Sequence, residues 1–246
     1  MKPPRDGTNE ANNPKLLDSG LVDCIPQIGK CPNPCGDNCY YNQAFYRTLD
    51  KPLFPNASRV NKQRLLVRVN SGHDSNYDRD FVIASTAKYH CRFFNTSIPR
   101  FDFPAPVVFT CNPDENKPPI LSPVPDNLMF VRVRTRPGML DYAADAIAHY
   151  AIKNNVPVVL TWMRYLMEDM VPGAWRDWYE LKTHILNPWW QLKRQHRERL
   201  WTELDACNVY QCGTYESSLC RECLNCVRFY WRAIRRQCKH DCPTMA

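Results

Sequence analysis

Two sets of cysteines carry most of the chemistry legible in this chain. Cys31, Cys35 and Cys39 stand at C-x3-C-x3-C spacing within GKCPNPCGDNCYYN, residues 29–42. Prolines and a glycine between them oppose a helix and let the backbone curl around a metal. Three thiolates leave one coordination position open, at which a bound metal can activate a second molecule. Structural zinc completed by a distant fourth ligand is the competing reading. The second set, Cys212, Cys220, Cys223 and Cys226, has C-x7-C-x2-C-x2-C spacing in CGTYESSLCRECLNC. Four thiolates close a site, which makes that centre structural or electron-transferring. Its last three cysteines resemble the C-x2-C-x2-C run of bacterial ferredoxins, and zinc uses the same ligands. Cys238 and Cys242, further on, read either as ligands that exchange with Cys207 or Cys212 or as free thiols.

Composition sets the frame for these sites. The chain has 246 residues, 44% of them hydrophobic, enough for one substantial core. Thirteen cysteines are too many to ignore, and the first fifteen residues, MKPPRDGTNEANNPK, lack the apolar centre of a secretory signal. Cysteine clusters in a reducing cytoplasm are metal ligands more often than disulfides. Cys91 and Cys111, alone in the middle of the chain, read as small buried hydrophobes. No apolar run is long enough to cross a membrane. Walker, G-x-G-x-x-G, G-x-S-x-G and H-E-x-x-H motifs are absent, so kinase, hydrolase and zinc-protease readings lack support.

The elements that must position the cysteines follow a strand–helix rhythm. Strand-like runs occupy 64–70, 91–99, 106–113, 127–135 and 156–163, with helical segments at 78–90 and 139–155. That order implies parallel pairing with right-handed crossovers. The expected fold is α/β, an incomplete TIM-type barrel of five to six mostly parallel strands, with an open doubly wound sheet as the competitor. Three segments are expected: a flexible leader over 1–23, the partial barrel over 24–165, and a helical, basic, cysteine-rich extension over 166–246. Between Lys182 and Lys239 there are 11 Lys and Arg against 5 Asp and Glu, a surplus that suits nucleic acid or an acidic protein. Trp189 and Trp190 read as a closure for the side of the core, or as a stacking platform.

Strand ends are where such folds bind ligands. Alternation in VRVRT puts Val131 and Val133 on one face and Arg132 and Arg134 on the other, and Arg68 and Asn70 alternate in the same way with Val67 and Val69. Inward arginines hold an anion or a hydrogen-bond network, whereas an edge strand with a solvated basic face explains the same pattern. Of the six histidines, His73 stands nearest a candidate site.

The cysteine loop, the polar turn LLVRVNSGHDSN and the βα series together resemble the radical S-adenosylmethionine (SAM) enzymes. Their loop is usually C-x3-C-x2-C with an aromatic beside the last cysteine. Here one residue is added, and Tyr40 and Tyr41 follow Cys39. The resemblance runs over roughly residues 29–165 by arrangement. It implies a [4Fe-4S] cluster on Cys31, Cys35 and Cys39 with an open iron for SAM. It also implies a SAM pocket from Ser71, Gly72, Asp74, Asn95, Thr96, Asn112, Arg132 and Arg134, and an external electron donor. A cysteine-rich C-terminal extension in that family often holds an auxiliary cluster, so Cys212, Cys220, Cys223 and Cys226 are expected to hold a second [4Fe-4S] cluster or zinc. The expected activity is reductive cleavage of SAM to a 5′-deoxyadenosyl radical. Two other classes compete: a non-catalytic zinc protein that binds nucleic acid through its basic tail, and a ferredoxin-like redox partner.

Overall fold

The structure, a computed structural model, describes residues 13–29, 31, 49, 51–113, 117–183 and 188–241. Seven strands form one sheet: β1 (Leu21–Cys24), β2 (Leu66–Val69), β3 (Arg92–Thr96), β4 (Val107–Cys111), β5 (Leu128–Thr135), β6 (Val158–Trp162) and, later in the chain, β9 (Val209–Gln211). Every neighbouring pair is parallel, and the strands lie side by side in chain order. A singly wound order with right-handed crossovers puts the connecting helices on one face. The sheet curls into a half-barrel, with that face outside.

The outer face is apolar and helix-covered. Val67, Val69, Phe94 and Val107 pack with Val60 of α1 (Ala57–Lys62) and Val82 of α2 (Arg79–Thr86). Phe109, Val131, Val133, Val158 and Leu160 pack with two longer helices. These are α3 (Leu140–Ala146, continued by a π turn, Ile147–Lys153) and α4 (Arg194–Leu204). Cys24 and Cys111 belong to this outer core, and burial pushes the Cys24 thiol up to about 12. Cys111 is fully buried, as a small hydrophobe is; Cys91 is half-buried beside the inner cluster.

Seven strands exceed the five to six read from sequence. β1 begins at Leu21, inside the stretch assigned to the leader, and Asp23 hides it by interrupting a short apolar run. β9 has three residues and is too brief to show a period. The segment after Tyr165 is also less helical than its spacing implies. Pro172, Gly173 and Pro188 divide it into short 3-10 turns and an antiparallel hairpin, β7 (Tyr179–Lys182) with β8 (Trp189–Leu192). Trp190 exchanges backbone hydrogen bonds with Tyr165 (2.7 and 2.9 Å) and packs on the outer core, so the hairpin closes its side.

Two helices complete the described chain. They are α5 (Cys220–Cys223) and α6 (Asn225–Asp241), joined through Leu224 in a left-handed conformation. Phe229, Tyr230 and Ala233 of α6 pack onto Leu66, Phe93, Val108, Phe130 and Val159, which form the concave face. Helix α6 therefore fills the inside of the half-barrel, and β9 adds a strand to its edge.

Candidate functional site

Side chains alternate along each strand, so the concave face can be read residue by residue. Its first inward position is apolar on all strands: Leu21, Leu66, Phe93, Val108, Phe130, Val159 and Tyr210. Two residues further along, the same face carries Asp23, Arg68, Asn95, Thr110, Arg132, Thr161 and Cys212. The amino-terminal half is a greasy seat for α6, and the carboxyl-terminal half is polar and charged. Such a division on every strand buries charge that packing alone does not require.

Arg68 and Asp23 meet in a bidentate ion pair, with Nε donating to Oδ1 at 2.7 Å and Nη2 to Oδ2 at 3.2 Å. Asn13 Nδ2 donates to the same carboxylate at 2.7 Å. Arg132 differs. Its Nη1 donates at 3.4 Å to Asn95 Oδ1 and Thr110 Oγ1, and no carboxylate pairs with it among the described residues. Arg132 faces sulfur instead, exerting its charge on Cys212 and Cys226.

A cavity of about 40 Å³ separates these arginines from the tail. It is lined by Arg68 and Arg132 from the sheet and by Cys212, Cys220, Cys223, Cys226 and Asn225. Each cysteine has an identifiable anchor. Cys212 directly follows β9, and its amide donates to Leu160 O of β6 at 2.8 Å. The next residue, Gly213, has φ +71°, and a Cβ there would sit 2.9 Å from Ser217 O, so the turn beside the thiol requires glycine. Cys220 and Cys223 are three apart on one turn of helix and share a face. Asn225 ties the start of α6 to β9, its Nδ2 donating to Gln211 O at 2.8 Å.

The thiols do not titrate alike. Cys223 donates its S–H to Cys212, and this bond, helped by Arg132 and Thr161 against burial, pulls Cys212 down to about 5. Cys223 is raised in turn, first by that bond and then by burial, although the amides of Asn225 and Gly213 donate to its sulfur. Burial raises Cys220 and pushes Cys226 up to about 11. Cys212 is thus the most acidic thiol of the four. Among the described residues, no three Cys, His, Asp or Glu side chains already stand in a ligating arrangement. Cys207 is exposed and precedes β9, whereas Cys212 follows it, so the strand holds Cys207 away from the cavity. The side chain of Cys238, and all of Cys242, Cys35 and Cys39, lie outside the described residues.

Above this cavity, at the carboxyl edge of the sheet, the remaining candidates gather. The chain leaves β1 and runs through Gln27 and Gly29 to Cys31, which is buried. Gln27 Oε1 accepts from Asn70 Nδ2 at 2.7 Å, and its own amide donates to Tyr77 O. His73 is buried, and its Nε2 bonds Gly29 O at 2.9 Å; burial, partly offset by that bond, lowers its pKa below 6.5. These contacts fasten the start of the cysteine loop to the Ser71–Asp74 turn.

Asp74 organises that turn. Its Oδ1 accepts from Asn76 N (2.9 Å) and Thr96 Oγ1 (2.7 Å), and its Oδ2 from Ser97 N (2.6 Å) and Ser97 Oγ (3.0 Å). Thr96 is thereby engaged, and Asn95 Nδ2 donates to Val69 O at 2.8 Å. Arg134 is buried, and its Nη1 donates to Asn112 Oδ1 at 3.0 Å. Ser71 and Gly72 stand at the end of β2, the former half-buried and the latter buried.

Sequence reasoning missed Asp23. Its signal is a single acid in LVDC and a single base in LVRV, which the parallel register sets side by side.

No helix among the described residues is long and apolar enough to cross a membrane. No family model, no curated protein and no solved structure matches this chain.

Proposed function

We propose that this protein is an iron–sulfur enzyme of the radical SAM type, working in a reducing compartment with an external electron donor. One observation carries the reading. The first strand of an all-parallel, chain-ordered half-barrel hands the chain at its carboxyl end to the C-x3-C-x3-C loop. The bond from His73 to Gly29 then fixes the start of that loop beside the polar turn after the second strand. Ligands of such sheets bind beyond the carboxyl ends of the strands, and a metal held there borders the concave space.

Buried Cys31 fits a role as one ligand, with Cys35 and Cys39 supplying the others from the same loop. When bound, a [4Fe-4S] cluster with an open iron supplies the electron that cleaves SAM to methionine and a 5′-deoxyadenosyl radical. The residues of the chain position and shield. Asp74, Thr96 and Asn95 hold the turn and the strand ends rigid through the bonds described above. Ser71 and Gly72 present backbone at the mouth. Arg134 and Asn112 offer a guanidinium and an amide to the carboxylate and hydroxyls of a SAM-like ligand. The apolar seat of α6 closes the opposite end and keeps water from entering there, which protects a reactive intermediate.

The test is anaerobic reconstitution with iron and sulfide, followed by SAM and a reductant. Methionine and 5′-deoxyadenosine are the expected products. Replacing Cys31, Cys35 and Cys39 together with Ala should abolish both products and remove iron while leaving the circular dichroism spectrum unchanged. Unchanged SAM cleavage in that triple variant would refute the assignment.

A further inference from the structure

We propose that Cys212, Cys220, Cys223 and Cys226 bind a single zinc-class divalent ion as a tetrathiolate inside the half-barrel, with Arg132 as its countercharge. This stands independently of the SAM reading, because it rests on a different set of cysteines.

The size of the cavity decides between a single ion and a cluster. A void of about 40 Å³ lies between the four cysteines and the sheet. By the measure in which one water needs about 10–15 Å³, this admits roughly three water-sized bodies. A single ion fits. Four irons and four sulfides do not fit without prising α6 from its seat on Phe93, Phe130 and Val159.

Sulfur spacing points the same way. Zinc–sulfur bonds of about 2.3 Å place the sulfurs of a tetrahedral site about 3.8 Å apart, which is hydrogen-bonding contact between thiols. Cys212 and Cys223 both line the small cavity, so their sulfurs already face one common space. A four-iron cube carries its thiolates on separate corner irons and holds them farther apart. Cys220 and Cys226 line the same cavity and complete the set by side-chain rotation.

The surroundings favour sulfur as an anion. The amides of Asn225 and Gly213 donate to Cys223 Sγ. Amide-to-sulfur bonds of this kind support a thiolate ligand. Four thiolates around a divalent ion carry two net negative charges, which need a countercharge in a confined site. Arg68 is already neutralised by Asp23, whereas Arg132 has no carboxylate partner among the described residues. Arg132 is the cation the site needs.

The experiment uses the full-length chain with Cys31, Cys35 and Cys39 changed to Ser, so that any metal found belongs to the tail. Purified anaerobically, it should hold about one equivalent of zinc and no acid-labile sulfide. Adding Cys223→Ser should remove the zinc. Arg132→Gln should weaken zinc binding about tenfold in competition with a chelator, as loss of an outer-shell partner does. Iron with stoichiometric sulfide, or no retained metal, overturns the proposal. If the triple variant does not fold, metal-stripped wild-type protein is titrated with cobalt(II) instead. Tetrahedral cobalt–thiolate absorption that disappears in Cys220→Ser supports the site, and absorption that survives Cys220→Ser overturns it.

Discussion

Charges placed inside the sheet make several residues sensitive to small changes. Asp23→Ala strands Arg68 in the cavity wall, and breaking a buried pair by removing one partner costs about 3–5 kcal/mol. Urea unfolding should show that loss, and replacing both partners with Met should recover much of it. Gly213→Ala forces a positive φ on a residue with a Cβ and a 2.9 Å contact to Ser217 O. The expected cost is about 1–3 kcal/mol, read by thermal unfolding of the metal-free chain. Cys212 gives a pH signature. Its folded value lies well below the 9.0 of a free thiol, so its stabilisation is complete above pH 9 and is lost as pH falls through about 5. Metal-free wild type minus Cys212→Ser should therefore gain stability as pH rises from 5 to 9. A flat difference would show that Cys212 holds no thiolate. At this scale the sequence was partly legible. Alternation put Arg132 and Arg134 on one face, because a pleated strand allows no other arrangement; the helices packed over Val131 and Val133 make that face the concave one. What Asp74 binds was not legible, since Thr96 and Ser97 lie more than twenty residues away and reach it only through the β2–β3 pairing.

Long elements announced themselves and short ones did not. β5, with eight residues, and the alanine-rich α3 have enough length to display a period. β1 and β9 have four and three residues, and each depends on pairing with a strand distant in sequence. The hairpin β7–β8 deceived because aromatic and charged residues at mixed spacing imitate an amphipathic helix until prolines are given their weight. Helix α6 carries an amphipathic pattern. Phe229, Tyr230 and Ala233 supply its buried stripe, while Arg228, Arg232 and Arg235 line its more accessible side. Phe229 sits 5.7 Å from Phe130 and 4.9 Å from Tyr210, ring centre to ring centre. Phe229→Ala should cost about 3–5 kcal/mol in urea unfolding. A loss below about 1 kcal/mol would mean that the helix does not seat on the sheet as described.

The whole molecule is a half-barrel whose concavity is occupied by its own carboxyl-terminal segment. Deleting the chain from Asn225 onward would bare Leu66, Phe93, Val108, Phe130 and Val159 at once. Such a truncated protein should bind a hydrophobic dye and self-associate, which light scattering would register; a monomeric, dye-silent product would contradict the packing. The same arrangement imposes an order in time. On the ribosome, β1 emerges first and α6 follows about two hundred residues later. Strands can zip together one after another as they appear, since neighbours in space are neighbours in synthesis. The hollow they enclose stays bare throughout, with Arg68, Arg132 and the greasy seat open to solvent. Translation thus leaves a long interval in which a nascent chain presents an unfinished interior to chaperones and metal donors, and arrival of α6 ends it.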